Sequence, residues 1–323
     1  MSEMRYQPLG DSGLMVSVVG VGCNAFGSRI DADRTAAVVD AAVEAGITLF
    51  DTADSYGDGA SEELLGRALG SRRESVVVAT KFGMGEHDAE HFGAHGSRRY
   101  VRRAVEASLR RLGTDHIDLY QLHRPDPITP VEETLGAMSE LVTEGKVRYL
   151  GSSNLSAWQV VDADWVARTS GTQRFVSAQN EYSLYNRLAE AELVPACEEV
   201  GVGLLPYFPL AYGLLTGKYR RGESAPEGTR LAASSQASRL ESANWDRIEA
   251  LESFARERGI SMLQLAVGGL VAQPAVASVI SGATRPEQVR ANAEAGLWEP
   301  TLEDLAALDA LGESPAFSYT TFA

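Results

Sequence analysis

Four residues of this chain stand where short apolar runs stop, and their types could do chemistry together. Leu49 and Phe50 close one run and Asp51 follows it; Tyr56 comes next in a small-residue loop, ahead of a helix opening with Ser61, Glu62 and Glu63. Val76-Val77-Val78-Ala79-Thr80 ends in Lys81, and Ile117–Leu122 runs into His123. A single aspartate after a strand is ordinarily a turn or cap residue. The set suggests more. A free phenol, with a pKa of about 10, donates its proton poorly near neutrality. A neighbouring ammonium stabilises the phenolate and lowers that pKa, while a carboxylate holds the ammonium in place. Lys81, ending a buried run, needs such a partner, and Asp51 on the adjacent strand is within reach. Tyr56 would then protonate a developing alkoxide, and His123 would hydrogen-bond the same oxygen. A purely structural ion pair beside a loop histidine is the plainer alternative.

These residues need a scaffold that brings strand ends together. Arg5–Leu9 and Leu14–Val18 read as a hairpin around Asp11-Ser12-Gly13, within an N-terminal stretch 5–18. Predicted strands follow at Val18–Gly22, Thr48–Asp51, Val76–Lys81, Ile117–Leu122, Val147–Ser152, Val176–Asn180, Val202–Tyr207 and Val276–Ser281. Predicted helices alternate with them at Ala32–Glu44, Ser61–Leu69, Arg98–Arg111, Val131–Glu144, Ala157–Arg168, Ala189–Glu199 and Pro286–Ala295. A long loop, 208–242, precedes two further helices near Trp245–Arg258 and Met262–Ala272, and 301–323 reads as a terminal helix and tail. Repeated strand–helix units without a composition break predict an α/β fold: one (β/α)8 TIM barrel over 1–323, with chemistry at the C-terminal ends of its strands. An open doubly wound sheet is disfavoured because Gly20–Gly27 lacks the Gly-x-Gly-x-x-Gly spacing.

Composition narrows the partners. The net charge of -15 argues against nucleic acid or an anionic membrane, both of which demand basic patches. Cys23 and Cys197 are the only cysteines, as expected of reduced thiols rather than a disulfide framework. Met1–Tyr6 carries no apolar signal core, and the run Gly201–Leu215 is too short and proline-broken to span a bilayer, so a cytoplasmic location is expected. His87, His91 and His95 are spaced four apart, but intervening glycines oppose a helix there, and no metal is expected.

No side chain supplies a hydride, so carbonyl chemistry at this site requires a nicotinamide cofactor. At Gly46–Gly57, Ala79-Thr80-Lys81, Asp118–His123, Gly151–Asn154, Gln179–Tyr182, Gly213–Lys218 and Gly282–Val289 the chain resembles the aldo-keto reductases, in the branch that includes potassium-channel β-subunits. The resemblance implies Tyr56 as general acid, tuned by Asp51 and Lys81, with His123 orienting the substrate. It implies that Ser153, Asn154 and Gln179 hold the nicotinamide carboxamide and that Tyr207 stacks on the ring. Leu210, Gly213, Leu215, Gly217 and Lys218 would cover the pyrophosphate, and Phe208, Pro209 and Ala211 are expected among the cofactor-binding residues. Arg285, Gln288 and Asn292 would take the adenosine end, and Ser281, Gly282, Ala283 and Thr284 are expected among the cofactor-binding residues. Arginine at a helix N-terminus suits a 2′-phosphate, so NADPH is expected, although many relatives carry lysine where this chain has Gly282.

The leading expectation is an NADPH-dependent reductase of small-molecule aldehydes or activated ketones. The alternatives are the reverse oxidation of an alcohol or sugar, and a cofactor-binding regulatory subunit with little turnover. Cys23 and Asn24, just past the first strand, are expected to border the nicotinamide or substrate. Substrate choice would lie with the mouth loops 82–97 and 208–242 and the tail 313–323, with Arg98, Arg124 and Arg187 as candidate anchors.

Overall fold

A computed structural model describes residues 3–84, 94–232 and 236–311. Strands β1 (Tyr6–Pro8) and β2 (Met15–Ser17) pair antiparallel as the expected hairpin. Eight parallel strands follow: β3 (Val19–Gly22), β4 (Leu49–Asp51), β5 (Val77–Phe82), β6 (Ile117–Leu122), β7 (Val147–Ser153), β8 (Phe175–Gln179), β9 (Gly203–Leu204) and β10 (Val279–Gly282). They pair in the order β10-β3-β4-β5-β6-β7-β8-β9. Bridges from Leu204 to Val276 and from Tyr207 to Ile280 join the last strand to the first. The sheet therefore closes into the expected barrel.

Helices α1 (Ala32–Glu44), α2 (Ala60–Leu69), α3 (Arg98–Leu112), α4 (Val131–Thr143), α5 (Ala157–Ser170) and α6 (Leu193–Val200) alternate with the strands. Then come α7 (Ala237–Glu241), α8 (Trp245–Glu257), α9 (Met262–Val271), α10 (Pro286–Ala295) and α11 (Leu302–Ala310). Local chemistry sets their ends. Asp31 accepts from the Arg34 amide to start α1, Ser261 and Gln264 form a capping box on α9, and Pro286 opens α10. The short helix α7, the kinked turns at Ala211–Thr216 and the single turn at Arg230–Ala232 interrupt the predicted long loop. Predicted strand seven shrinks to Gly203–Leu204, because Pro206 and Pro209 cannot donate to a ladder. Predicted helix six starts late, with a tight turn at Leu188–Glu190 ahead of it.

Strand alternation divides the core into two layers. Leu49, Val77, Ala79, Leu119 and Ile280 pack together inside the barrel, and Leu9 and Val16 of the hairpin join them from below. Phe50, Val78, Phe82, Tyr120 and Leu122, one residue out of phase, pack against the surrounding helices. The hairpin thus seals the N-terminal end of the barrel. Gly10, at φ 56°, makes this closure possible: a Cβ there would lie 2.6 Å from both the Gly201 carbonyl oxygen and the Gly203 amide nitrogen. Gly10→Val is expected to cost about 1–3 kcal/mol or more of stability through overpacking and left-handed strain. Urea titration measures the loss.

Candidate active site

The same alternation that buries Leu49, Val77 and Leu119 inside the barrel sends the next inward residues, Asp51, Lys81, Gln121 and His123, to its C-terminal rim. Lys81 stands in register with Gln121 on β6, and Asp51 with Ala79 on β5. From that register the lysine stem reaches sideways. Its Nζ lies 2.7 Å from Asp51 Oδ2 and donates to the Thr52 carbonyl at 2.9 Å. Lys81 is fully buried and Asp51 nearly so. Burial alone would lower the lysine pKa, but attraction to Asp51 and Tyr56 outweighs it and the net direction is up. Lys81 is charged.

The hydroxyl of Tyr56 lies 3.5 Å from Lys81 Nζ, and the ammonium stands 5.1 Å from the centre of the phenol ring. The His123 ring meets that phenol edge-on, with centroids 5.9 Å apart. Burial, the Lys81 charge and the Arg124 charge together lower the His123 pKa to about 2, so the imidazole is neutral. The expected direction for Tyr56 needs correcting. Burial raises its pKa more than Lys81 lowers it, and Asp51 adds to the rise, so the phenol keeps its proton through neutral pH. The ammonium stabilises the phenolate without making it the resting form.

Asp51 has a second set of partners. Its Oδ1 accepts from Gln179 Nε2 at 2.8 Å and from Gln121 Nε2 at 3.2 Å. Gln179, expected at a carboxamide, thus also braces Asp51, and Gln121 joins it as a residue marked in the sequence only by the alternation Leu119, Gln121, His123. Ser153 Oγ donates to the Gln179 carbonyl at 2.8 Å, Asn154 Nδ2 to the His123 carbonyl at 3.0 Å, and the Tyr207 hydroxyl to Asn154 Oδ1 at 2.8 Å. These three are therefore knitted into one rim with Gln179, His123 and, through Gln179, Asp51.

Beyond Tyr207 the backbone is strained, with positive φ at Phe208, Ala211 and Tyr212. Phe208 and Tyr212 pack at 4.3 Å, and the Arg230 guanidinium lies over both, 5.4 and 5.2 Å from the ring centres. Arg239 stacks on Tyr212 at 3.7 Å. Arg29 Nη2 donates to Asn24 Oδ1, whose oxygen would lie 3.8 Å from a Cβ on Gly282. Burial lowers the pKa of Arg230, and the charge of Arg29 lowers it further. Sequence reasoning passed over these three arginines because nothing in the spacing brings 29, 230 and 239 together.

The remaining candidates differ in exposure and partners. Cys23, expected to border the nicotinamide or substrate, is fully buried with Sγ directed at the Val21 carbonyl, and its amide donates to the Asp51 carbonyl at 2.8 Å. Arg98 is paired with Glu140, and Arg187 with Glu190 and Asp309, so neither is a free anchor. Gln288 Oε1 accepts from the Thr284 amide and hydroxyl, Asn292 is buried on α10, and Arg285 is an exposed N-cap residue. Lys218 and Gly282 are exposed. His87, His91 and the tail beyond 311 lie outside the described residues.

The Aldo/keto reductase family profile matches residues 18–313. The chain belongs to the aldo/keto reductase family. It is an NAD(P)H-dependent oxidoreductase acting on small-molecule carbonyl compounds. Among its relatives is a probable voltage-gated potassium channel subunit beta of Oryza sativa subsp. japonica, 37% identical over 90% of this chain and 91% of that protein. A probable aldo-keto reductase 1 of Glycine max is 36% identical over 90% and 85%. The versiconal hemiacetal acetate reductase of Aspergillus parasiticus is 36% identical over 84% and 86%. Among the described residues no helix is long and apolar enough to cross a membrane.

The buried ion pair makes a stability test. Asp51→Asn leaves Lys81 charged and unpaired, and is expected to cost about 3–5 kcal/mol. Adding Lys81→Met in the same protein should recover much of that loss, read as a coupling energy in a denaturation cycle.

Proposed function

We propose that this protein is a cytoplasmic reductase that uses NADPH to convert aldehydes or activated ketones to alcohols, with Tyr56 as the general acid. One observation carries the reading: a single buried ammonium reaches both Asp51 Oδ2, at 2.7 Å, and the Tyr56 hydroxyl, at 3.5 Å. The cofactor would supply the hydride. As negative charge develops on the carbonyl oxygen, Tyr56 delivers its proton there. Lys81 holds the phenolate that results, and Asp51, braced by Gln121 and Gln179, keeps Lys81 in line. His123, neutral yet still carrying one ring N–H, orients the same oxygen; its Nδ1 is buried without a partner among the described residues. A phenol that keeps its proton suits reduction. Oxidation needs the phenolate first, which favours this direction near neutral pH.

The mouth supports a phosphate-bearing dinucleotide. Arg29 and Arg230 repel one another, neither has a carboxylate partner among the described residues, and an anion between them would relieve that cost. Tyr207 and Phe208, edge to face at 5.0 Å, offer flat surfaces for the ring system. Ser281 Oγ, buried and unpartnered among the described residues, adds an available hydroxyl. Arg285 at the start of α10 is the candidate for the 2′-phosphate.

The names of the plant relatives raise a second reading, a cofactor-binding subunit with little turnover. One variant separates the two. Tyr56→Phe is expected to lower kcat for aldehyde reduction by about 10²–10⁴ while NADPH still quenches protein fluorescence. A wild-type protein that binds NADPH without turning over a panel of small aldehydes would favour the subunit. Arg230→Ala should raise KM for NADPH by about tenfold or more, the loss of one charge-assisted contact. Tyr56 and His123 titrate outside the range of about pH 5–9, so neither should put an inflection there on the reduction rate.

A further inference from the structure

A buried polar cluster behind the Tyr56 loop has no part in the chemistry described so far. Glu62 of α2 is fully buried and both its oxygens are taken. Thr80 Oγ1 donates to Oε1 at 2.5 Å, and Arg111 Nε donates to Oε2 at 2.6 Å. Thr80 directly precedes Lys81 on β5. Arg111, from α3, packs its stem on the Tyr56 loop itself: a Cβ on Gly59, at φ 91°, would lie 2.6 Å from Arg111 Cδ and 2.9 Å from Nε. Asp54 sits in the same loop, and its amide donates to the Lys81 carbonyl at 3.1 Å. The carboxyl Oδ1 of Asp54 is buried with no partner among the described residues, as is the hydroxyl of Tyr120 on β6.

We infer that Asp54, Glu62 and Arg111 are positioning residues for Tyr56, and that the charge on Asp54 decides how firmly the loop is seated. This rests on Tyr56 being the acid. The neighbours of Asp54 are Glu62 on α2, Arg111 on α3, Lys81 on β5 and Tyr120 on β6. Arg111 is committed to Glu62 and Lys81 to Asp51, so an ionised Asp54 would be a second buried carboxylate without a cation of its own. Burial and the Glu62 charge raise its pKa, Arg111, the Ser55 amide and Lys81 lower it, and the outcome is about 7. The sign follows. Its folded pKa lies above the unfolded value, so stability is lost as pH rises towards 7, and the loop gains an uncompensated charge above it.

The test is kcat for aldehyde reduction at saturating NADPH, from about pH 6 to about pH 9, in wild type, Asp54→Asn and Glu62→Gln. Wild-type kcat is expected to fall by about threefold or more with a midpoint near 7, while KM for NADPH stays level. Asp54→Asn should flatten that fall, and Glu62→Gln, by removing the facing anion, should move the midpoint to lower pH. A wild-type limb that persists in Asp54→Asn, or its absence from wild type, overturns the inference. If Asp54→Asn does not fold, ¹³C-aspartate NMR of wild type decides instead, since no carboxyl titrating near 7 would equally overturn it. That titration needs no turnover. Activity surviving Tyr56→Phe would instead sink the assignment of the acid, so the two failures are distinct.

Discussion

A lysine that is charged and fully enclosed sets the terms for everything around it. An ammonium in a low-dielectric interior costs several kcal/mol unless a carboxylate and further acceptors surround it. Here Asp51 Oδ2 and the Thr52 carbonyl meet that need, and the carboxylate is held from behind by two glutamine amides. Four strands contribute to this one arrangement, β4, β5, β6 and β8. The phenol of Tyr56 is the residual direction in which the ammonium's charge is available. That geometry sets phenol hydroxyl and ammonium side by side at one place on the rim.

Two opposing influences act on that proton. Burial favours the neutral phenol and the ammonium favours the phenolate, and burial is the larger effect in the resting protein. In the proposed role of Tyr56 as general acid, the balance is useful because the phenol would first carry its proton and then lose it without much reorganisation. A preset cation acts mainly at the moment charge appears, when stabilisation counts towards rate. His123 follows the same logic from the other side: deprived of solvent and set near two cations, its ring is neutral and can offer a hydrogen bond without adding charge.

Much of this was legible in the chain. Alternation in Leu49-Phe50-Asp51 and Val77-Val78-Ala79-Thr80-Lys81 predicts both the strands and the inward aim of their last polar residues. The helices Ala32–Glu44 and Pro286–Ala295 have the predicted bounds because a capping aspartate and an N1 proline mark their starts. Other features were opaque for identifiable reasons. The direction of the Tyr56 shift depends on how deeply the loop sits, which residue types do not reveal. Arg29 and Arg230 are brought together by the barrel's closure, a long-range event without a local signature. Cys23 is buried although it follows a strand end, with its carbonyl held by Ser61 of α2. Gln121 was hidden only by its neighbour, the more conspicuous histidine.

The hairpin that stoppers the far end of the barrel has a consequence for how this scaffold can change. Leu9 and Val16 fill the bottom layer of the interior, whereas the rim residues sit at the opposite end of the same strands. The native state is therefore anchored at both poles of one cylinder, by apolar fill at the floor and by the buried Lys81–Asp51 pair at the rim. A replacement at the floor acts far from the rim, whereas a replacement among the buried charges at the top changes folding and chemistry together.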